Sequence, residues 1–182
     1  MGMAAPVYYS AEMVLALPDD GKRYETVHGE LLVSPAPRAW HQEVLGRVQR
    51  ALWSFPDDHQ VGHLFASPAD ISWGPDILVQ PDLFVVTLDQ ARTLDWSRMQ
   101  DLLLTVEVLS PSTSRHDRFT KRRLYQEVGI PLYWIVDPDN KSVEAWTPEA
   151  TLPTVERERV VWEPEGAREA LTIELDELFR PI

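Results

Sequence analysis

A chain of 182 residues, 44% hydrophobic with seven tryptophans, is long enough to bury a core, and a single domain over residues 1–182 is expected. No apolar run approaches the roughly 20 residues of a membrane helix. The first residues lack the basic start and apolar stretch of a signal peptide, and zero cysteines exclude disulfides and thiolate metal sites, so a cytoplasmic protein is expected. The net charge of −12 argues against a broad nucleic-acid surface.

The charge is uneven. Residues 1–123 carry 12 basic against 16 acidic groups, and residues 124–182 carry 5 against 13. Arg115, His116, Arg118, Lys121, Arg122 and Arg123 form a local basic run.

Taken in order, residues 1–9 read as a loose arm. Ser10 is placed to cap a short helix, 11–17, stopped by Pro18. Residues 23–27 alternate, with Tyr24 and Thr26 on one face. His28-Gly29 is a tight turn, and residues 30–34 return as the second strand of a hairpin. Residues 40–54 form a helix whose stripe is Val44, Leu45, Val48, Ala51 and Leu52, with His41 near its start. A loop covers 56–60. Strands follow at 63–67, 69–73 and 79–86, then a short helix at 88–94 and a polar connection at 95–101.

Residues 102–109 are apolar on both faces, as in a central strand covered on both sides. A Ser-Pro-Ser-Thr turn leads to a helix at 114–128, ended by Gly129. Residues 130–136 are a core strand with Pro131 at its start, where a missing N–H is tolerated. A turn at 137–140 and a strand at 142–147 follow. Strands at 155–162 and 170–173 and a turn at 175–179 complete the chain. The strand–helix–strand unit implies a parallel pair. The fold class is therefore α/β, with a mixed central β-sheet flanked by helices.

The chemistry centres on residues 102–125. A carboxylate inside a core strand costs several kcal/mol unless something charged meets it, so Glu107 requires a metal or a cation. Asp82, after Pro81, stands near the start of another apolar strand. Two strands each presenting an acid offer oxygen ligands to Mg²⁺ or Mn²⁺. Lys121, on the following helix, supplies a positive charge for a phosphate.

Pro81-Asp82 followed by Glu107-Val108-Leu109 resembles the PD-(D/E)XK signature of restriction-endonuclease-like nucleases. Leu109 stands where that motif has its lysine, and Lys121 is expected to replace it in space. PDL, VEVLSPST, DxxxKxxxY, GIPLYWIVDP and an early YExxxGE together resemble the Uma-two family of restriction-endonuclease-like proteins, over about residues 23–146. The resemblance implies a Mg²⁺- or Mn²⁺-dependent endonuclease on DNA that leaves 5′-phosphate ends. It implies a metal site of Asp82 and Glu107 joined by an early acid, with Lys121 catalytic.

The early acid is either Glu30 or Glu25; Glu30 is preferred, and the odd spacing of five is expected to put the two on opposite faces. His41 is either a phosphate-contacting or supporting group or a surface residue. Asp117 either joins the site or caps its helix, and Tyr125 is either near the site or core. His28, His59, His63 and His116 show no metal-ligand spacing. Two further readings stay open: a non-catalytic binding or assembly module, suggested by the charge of −12 and the missing strand lysine, and a hydrolase of small phosphodiesters. A homodimer would supply the two sites that a two-fold-symmetric target needs.

Overall fold

A computed structural model describes residues 7–182. Residues 1–6 of the expected arm lie outside this range. The arm's last residues are docked rather than loose. The Tyr9 N–H donates to the Gly29 carbonyl at 3.0 Å and its carbonyl accepts from the Thr26 hydroxyl at 2.9 Å. Tyr8 lies so close over Gly29 (φ +80°) that a Cβ there would overlap its ring.

Helix α1 (Ala11–Leu15) is capped by the Ser10 side chain. The hairpin β1 (Arg23–Val27) and β2 (Glu30–Ser34) turns through His28 and Gly29, both at positive φ. Helix α2 (Ala39–Leu52) buries Val44, Val48 and Leu52. The stretch read as a loop at 56–60 contains α3 (Phe55–Asp58), with a proline in its first turn. Strands β3 (His63–Ala66) and β4 (Ile71–Gly74) follow.

The strand expected at 79–86 is two strands, β5 (Ile77–Val79) and β6 (Leu83–Val86), in different sheets. The break is chemical. Pro81 has no N–H to give to a ladder, and the Gln80 N–H is diverted to the Glu25 carboxylate at 2.7 Å. Next come α4 (Leu88–Ala91), a 3₁₀ turn at Trp96–Arg98 and β7 (Leu102–Val108). The helix after β7 begins at residues 114–115, passes into a π-helical turn, His116–Lys121, and continues as α5 (Arg122–Glu127). Strands β8 (Tyr133–Asp137) and β9 (Ser142–Trp146) follow. The strand expected at 155–162 is also split, into β10 (Thr154–Glu156) and β11 (Arg159–Trp162), before β12 (Leu171–Glu174) and α6 (Leu175–Leu178).

The central sheet has the order β10-β9-β8-β7-β6-β3. It is mixed: β7 and β8 run parallel, and its other neighbours are antiparallel. Alternation along β7 and β8 divides the core into two layers. Tyr133 and Ile135, with Phe84 and Val86, face one layer, which takes in Tyr125 and Leu124 of α5 and the four-stranded sheet β2-β1-β5-β4. Val106, Val108, Trp134 and Val136 face the other, beneath α2, the β11-β12 pair and α6. Among the described residues, no helix is long and apolar enough to cross a membrane.

Candidate active site

Four acids and a lysine are buried where the two larger sheets meet. Glu25 comes from β1, Asp82 from the link between the sheets, Glu107 from β7, and Asp117 and Lys121 from the π-helical turn; none is more than 3% exposed. Continuing the β6–β7 register, in which Leu83 faces Val106, by one step sets Asp82 opposite Glu107. Residues directly opposite in an antiparallel pair share a face, so both carboxylates point to one side of the sheet.

Lys121 is the centre of the cluster. Its Nζ lies 2.9 Å from Glu107 Oε1, 2.9 Å from Glu25 Oε1 and 3.6 Å from Asp117 Oδ1. The π-helical turn, whose bonds run i→i+5, carries Asp117 and Lys121 on its buried side. Tyr125, one turn on, donates its hydroxyl to Glu107 Oε1 at 3.2 Å. Asp82 is held separately. Its Oδ1 accepts from Arg23 Nη1 at 2.9 Å and its Oδ2 from the Val108 N–H at 2.9 Å. Arg23 Nη1 also donates to the Gln80 carbonyl at 3.1 Å. His41, on α2, points Nε2 at Asp82 Oδ2 from 3.7 Å, while its Nδ1 is buried with no hydrogen-bond partner among the described residues.

The four acids (Glu25, Asp82, Glu107, Asp117) face two cations (Arg23, Lys121), so full ionisation leaves two negative charges unmatched. Protons answer part of this excess. Burial raises the Glu107 pKa well above its ordinary value; Lys121 pulls it back, and the carboxylates of Asp82, Asp117 and Glu25 add to the rise. Burial likewise lifts Asp117 to about 6 against the pull of Lys121. For Lys121 burial works downward, but the Glu107, Glu25 and Asp117 charges overcome it and hold the ammonium well above its ordinary pKa. Burial lowers the His41 pKa, partly offset by Asp82. Removing one partner from such a buried ion pair typically costs about 3–5 kcal/mol, because the other charge is left in a medium that cannot solvate it.

Arg23, His41, Asp82, Glu107, Asp117 and Lys121 line one cavity of about 280 Å³, whose lining does not include Glu25. Tyr125 is buried behind Glu107.

Glu30 is not in the cluster; the early acid that reaches it is Glu25. Face does not separate them. The two-residue turn pairs Val27 with Glu30 and Glu25 with Leu32, so across the hairpin an odd spacing keeps the two acids on one side. Position along the strand does: Glu30 sits at the turn end, exposed. Arg23 and Gln80 were not anticipated from sequence. Arg23 had a readable signal, because it shares a strand face with Glu25 at i, i+2. The role of Gln80, through its backbone, left none.

The donor set suits a divalent hard cation: carboxylate oxygens with two unmatched negative charges. As arranged, no three His, Asp or Glu side chains among the described residues stand at metal-ligand spacing, and Lys121 and Arg23 are seated on the carboxylates.

A family model, Uma2, described as "Putative restriction endonuclease", matches residues 11–176. The chain belongs to the Uma2 family. A solved structure described as "a putative nuclease belonging to DUF820", from Anabaena variabilis, superposes on this Uma2 protein with a TM-score of 0.75 at 21% identity, covering 94% of this chain and 97% of the other. That likeness is one of fold, and the mixed central sheet with flanking helices is the restriction-endonuclease-like architecture. No curated protein matches this Uma2 chain.

Proposed function

We propose that this Uma2 protein is a metal-dependent endonuclease that hydrolyses DNA phosphodiester bonds. One observation carries the reading: Asp82, from the link before β6, and Glu107, on β7, line one cavity together with Lys121, which is paired with Glu107, in a member of a family described as "Putative restriction endonuclease". Asp82 and Glu107, with Glu25 nearby, would hold Mg²⁺ or Mn²⁺. The bound ion would supply Lewis acidity toward the phosphate and a water of lowered pKa.

The protein's own groups do the rest. Lys121, kept charged by its three carboxylates, places a fixed positive charge beside the phosphate. Glu25 and Asp117 hold that ammonium in place. The Tyr125 hydroxyl and the Val108 N–H fix the orientation of Glu107 and Asp82, so little reorganisation accompanies the reaction.

A second reading, a hydrolase of small phosphodiesters, is favoured by the cavity of about 280 Å³ and the charge of −12, since a small substrate needs few phosphates neutralised. The test is incubation with supercoiled plasmid and, separately, with an aryl phosphodiester, each with Mn²⁺ and with EDTA. Plasmid nicking that EDTA stops, with 5′-phosphate ends, is expected. Glu107→Gln and Asp82→Asn are each expected to lose about a hundredfold or more, since removing a ligand costs at least as much as the roughly 10–100-fold lost with a partner that only orients one. Nicking undiminished in both variants would overturn the proposal, and turnover of the aryl ester alone would transfer it to the second reading.

A further inference from the structure

We propose that Arg23 competes with the divalent cation for Asp82 and, once displaced, takes up a phosphate of the substrate. The inference rests on the metal-dependent reading above and adds to it a residue with two alternative partners.

The two bases of the site are held very differently. Lys121 is 3% exposed and surrounded by three carboxylates. Arg23 sits at the solvent edge, with its side chain 27% exposed, and begins β1 just after the bend at residues 20–21. It engages Asp82 through one nitrogen only: Nη1 reaches Oδ1 and the Gln80 carbonyl, while its Nε and Nη2 make no hydrogen bond among the described residues. A guanidinium binds a carboxylate most strongly through two parallel bonds, so this contact is the weaker, one-nitrogen form.

Its position is also that of a competitor. Each Asp82 oxygen accepts one bond at 2.9 Å, Oδ2 from the Val108 backbone N–H, which is fixed in its strand, and Oδ1 from the Arg23 side chain, which can turn away, so Oδ1 is the oxygen that a cation could take over. A divalent ion there would face a positive charge a few ångströms away, and the repulsion is relieved if the guanidinium turns into the cavity that it already lines. A phosphodiester in that cavity offers the planar guanidinium the paired oxygens that it lacks on Asp82. Substrate would then tighten metal binding, and metal would tighten substrate binding, because the two ligands share one displaced cation.

The experiment is calorimetric titration of Mn²⁺ into wild type, Arg23→Gln, Arg23→Lys and Asp82→Asn, each first checked for its fold by circular dichroism. A labelled DNA oligonucleotide is then titrated into the same proteins in Ca²⁺ by fluorescence anisotropy. Arg23→Gln is expected to bind Mn²⁺ on the order of tenfold more tightly, within the usual range of coupling between linked sites. It is expected to bind the oligonucleotide more weakly. Arg23→Lys, which keeps the charge, stays near wild type for Mn²⁺.

Mn²⁺ affinity that is equal or lower in Arg23→Gln, while Asp82→Asn abolishes binding, overturns the competition and leaves the metal-dependent reading standing. Tighter Mn²⁺ binding with unchanged oligonucleotide affinity overturns the transfer to phosphate. No Mn²⁺ uptake by either wild type or Arg23→Gln sinks both this inference and the metal-dependent reading.

Discussion

At the scale of residues, the site is a charge balance in which each acid depends on a named base. Asp117 makes this measurable. Its carboxyl is lifted from an ordinary value near 3.8 to about 6, chiefly by burial. The folded protein therefore binds a proton there that the unfolded chain releases, and stability from this group is full below about 4 and is lost as pH rises through about 6. Asp117→Asn removes the dependence. Measured by thermal unfolding in the absence of divalent ions, its melting temperature is expected to gain on wild type as pH is raised from 4 to 7; a constant difference would mean that Asp117 does not titrate in this window. Asp82, Glu107, Lys121, Asp117, Tyr125 and His41 were legible because each is a polar group set in or beside an apolar pattern. Glu25 was legible only as a rival, since choosing it over Glu30 required the length of the hairpin's arm and not its parity.

At the scale of elements, the boundaries that sequence missed are those where burial is continuous but pairing changes. Residues 77–86 stay buried apart from Gln80, so the apolar run reads as one strand although Pro81 sends its two halves to different sheets. The π-helical turn is hidden for a related reason: the spacing of Leu124, Tyr125 and Val128 is what an ordinary helix would show. Gly129, by contrast, announced the helix end. It lies at φ +74° with nothing near its missing Cβ, so Gly129→Ala pays only for the left-handed backbone. It is expected to destabilise by about 1–2 kcal/mol. Gly46, inside α2 with equally open surroundings, is the control: Gly46→Ala is expected to stabilise by about 0.5–1 kcal/mol. Urea unfolding of the two variants checks the pair, and effects of the same sign would refute it.

At the scale of the molecule, a charge of −12 with one basic run limits how much polyanion the surface can hold. If DNA is the substrate, few phosphates are neutralised. The slope of log K against log salt is expected to be about −2 to −3, at roughly −0.9 per phosphate. Anisotropy titrations from low to moderate salt would measure it, and a slope near −6 would require an extended basic surface that the charge distribution does not provide. The cluster also ties β1 of the smaller sheet to β7 of the central sheet through Lys121, with Arg23 fastening the crossover between them. This joint has a consequence for inheritance. A descendant that no longer needed the chemistry could not discard Lys121 or Arg23 alone, because losing either base strands buried carboxylates and weakens the union of the two sheets. Retirement of the activity would have to proceed by replacing the joint as a set, with apolar residues that fill the same space. Until then an idle copy would go on carrying the full complement of acids and bases, kept for its architecture.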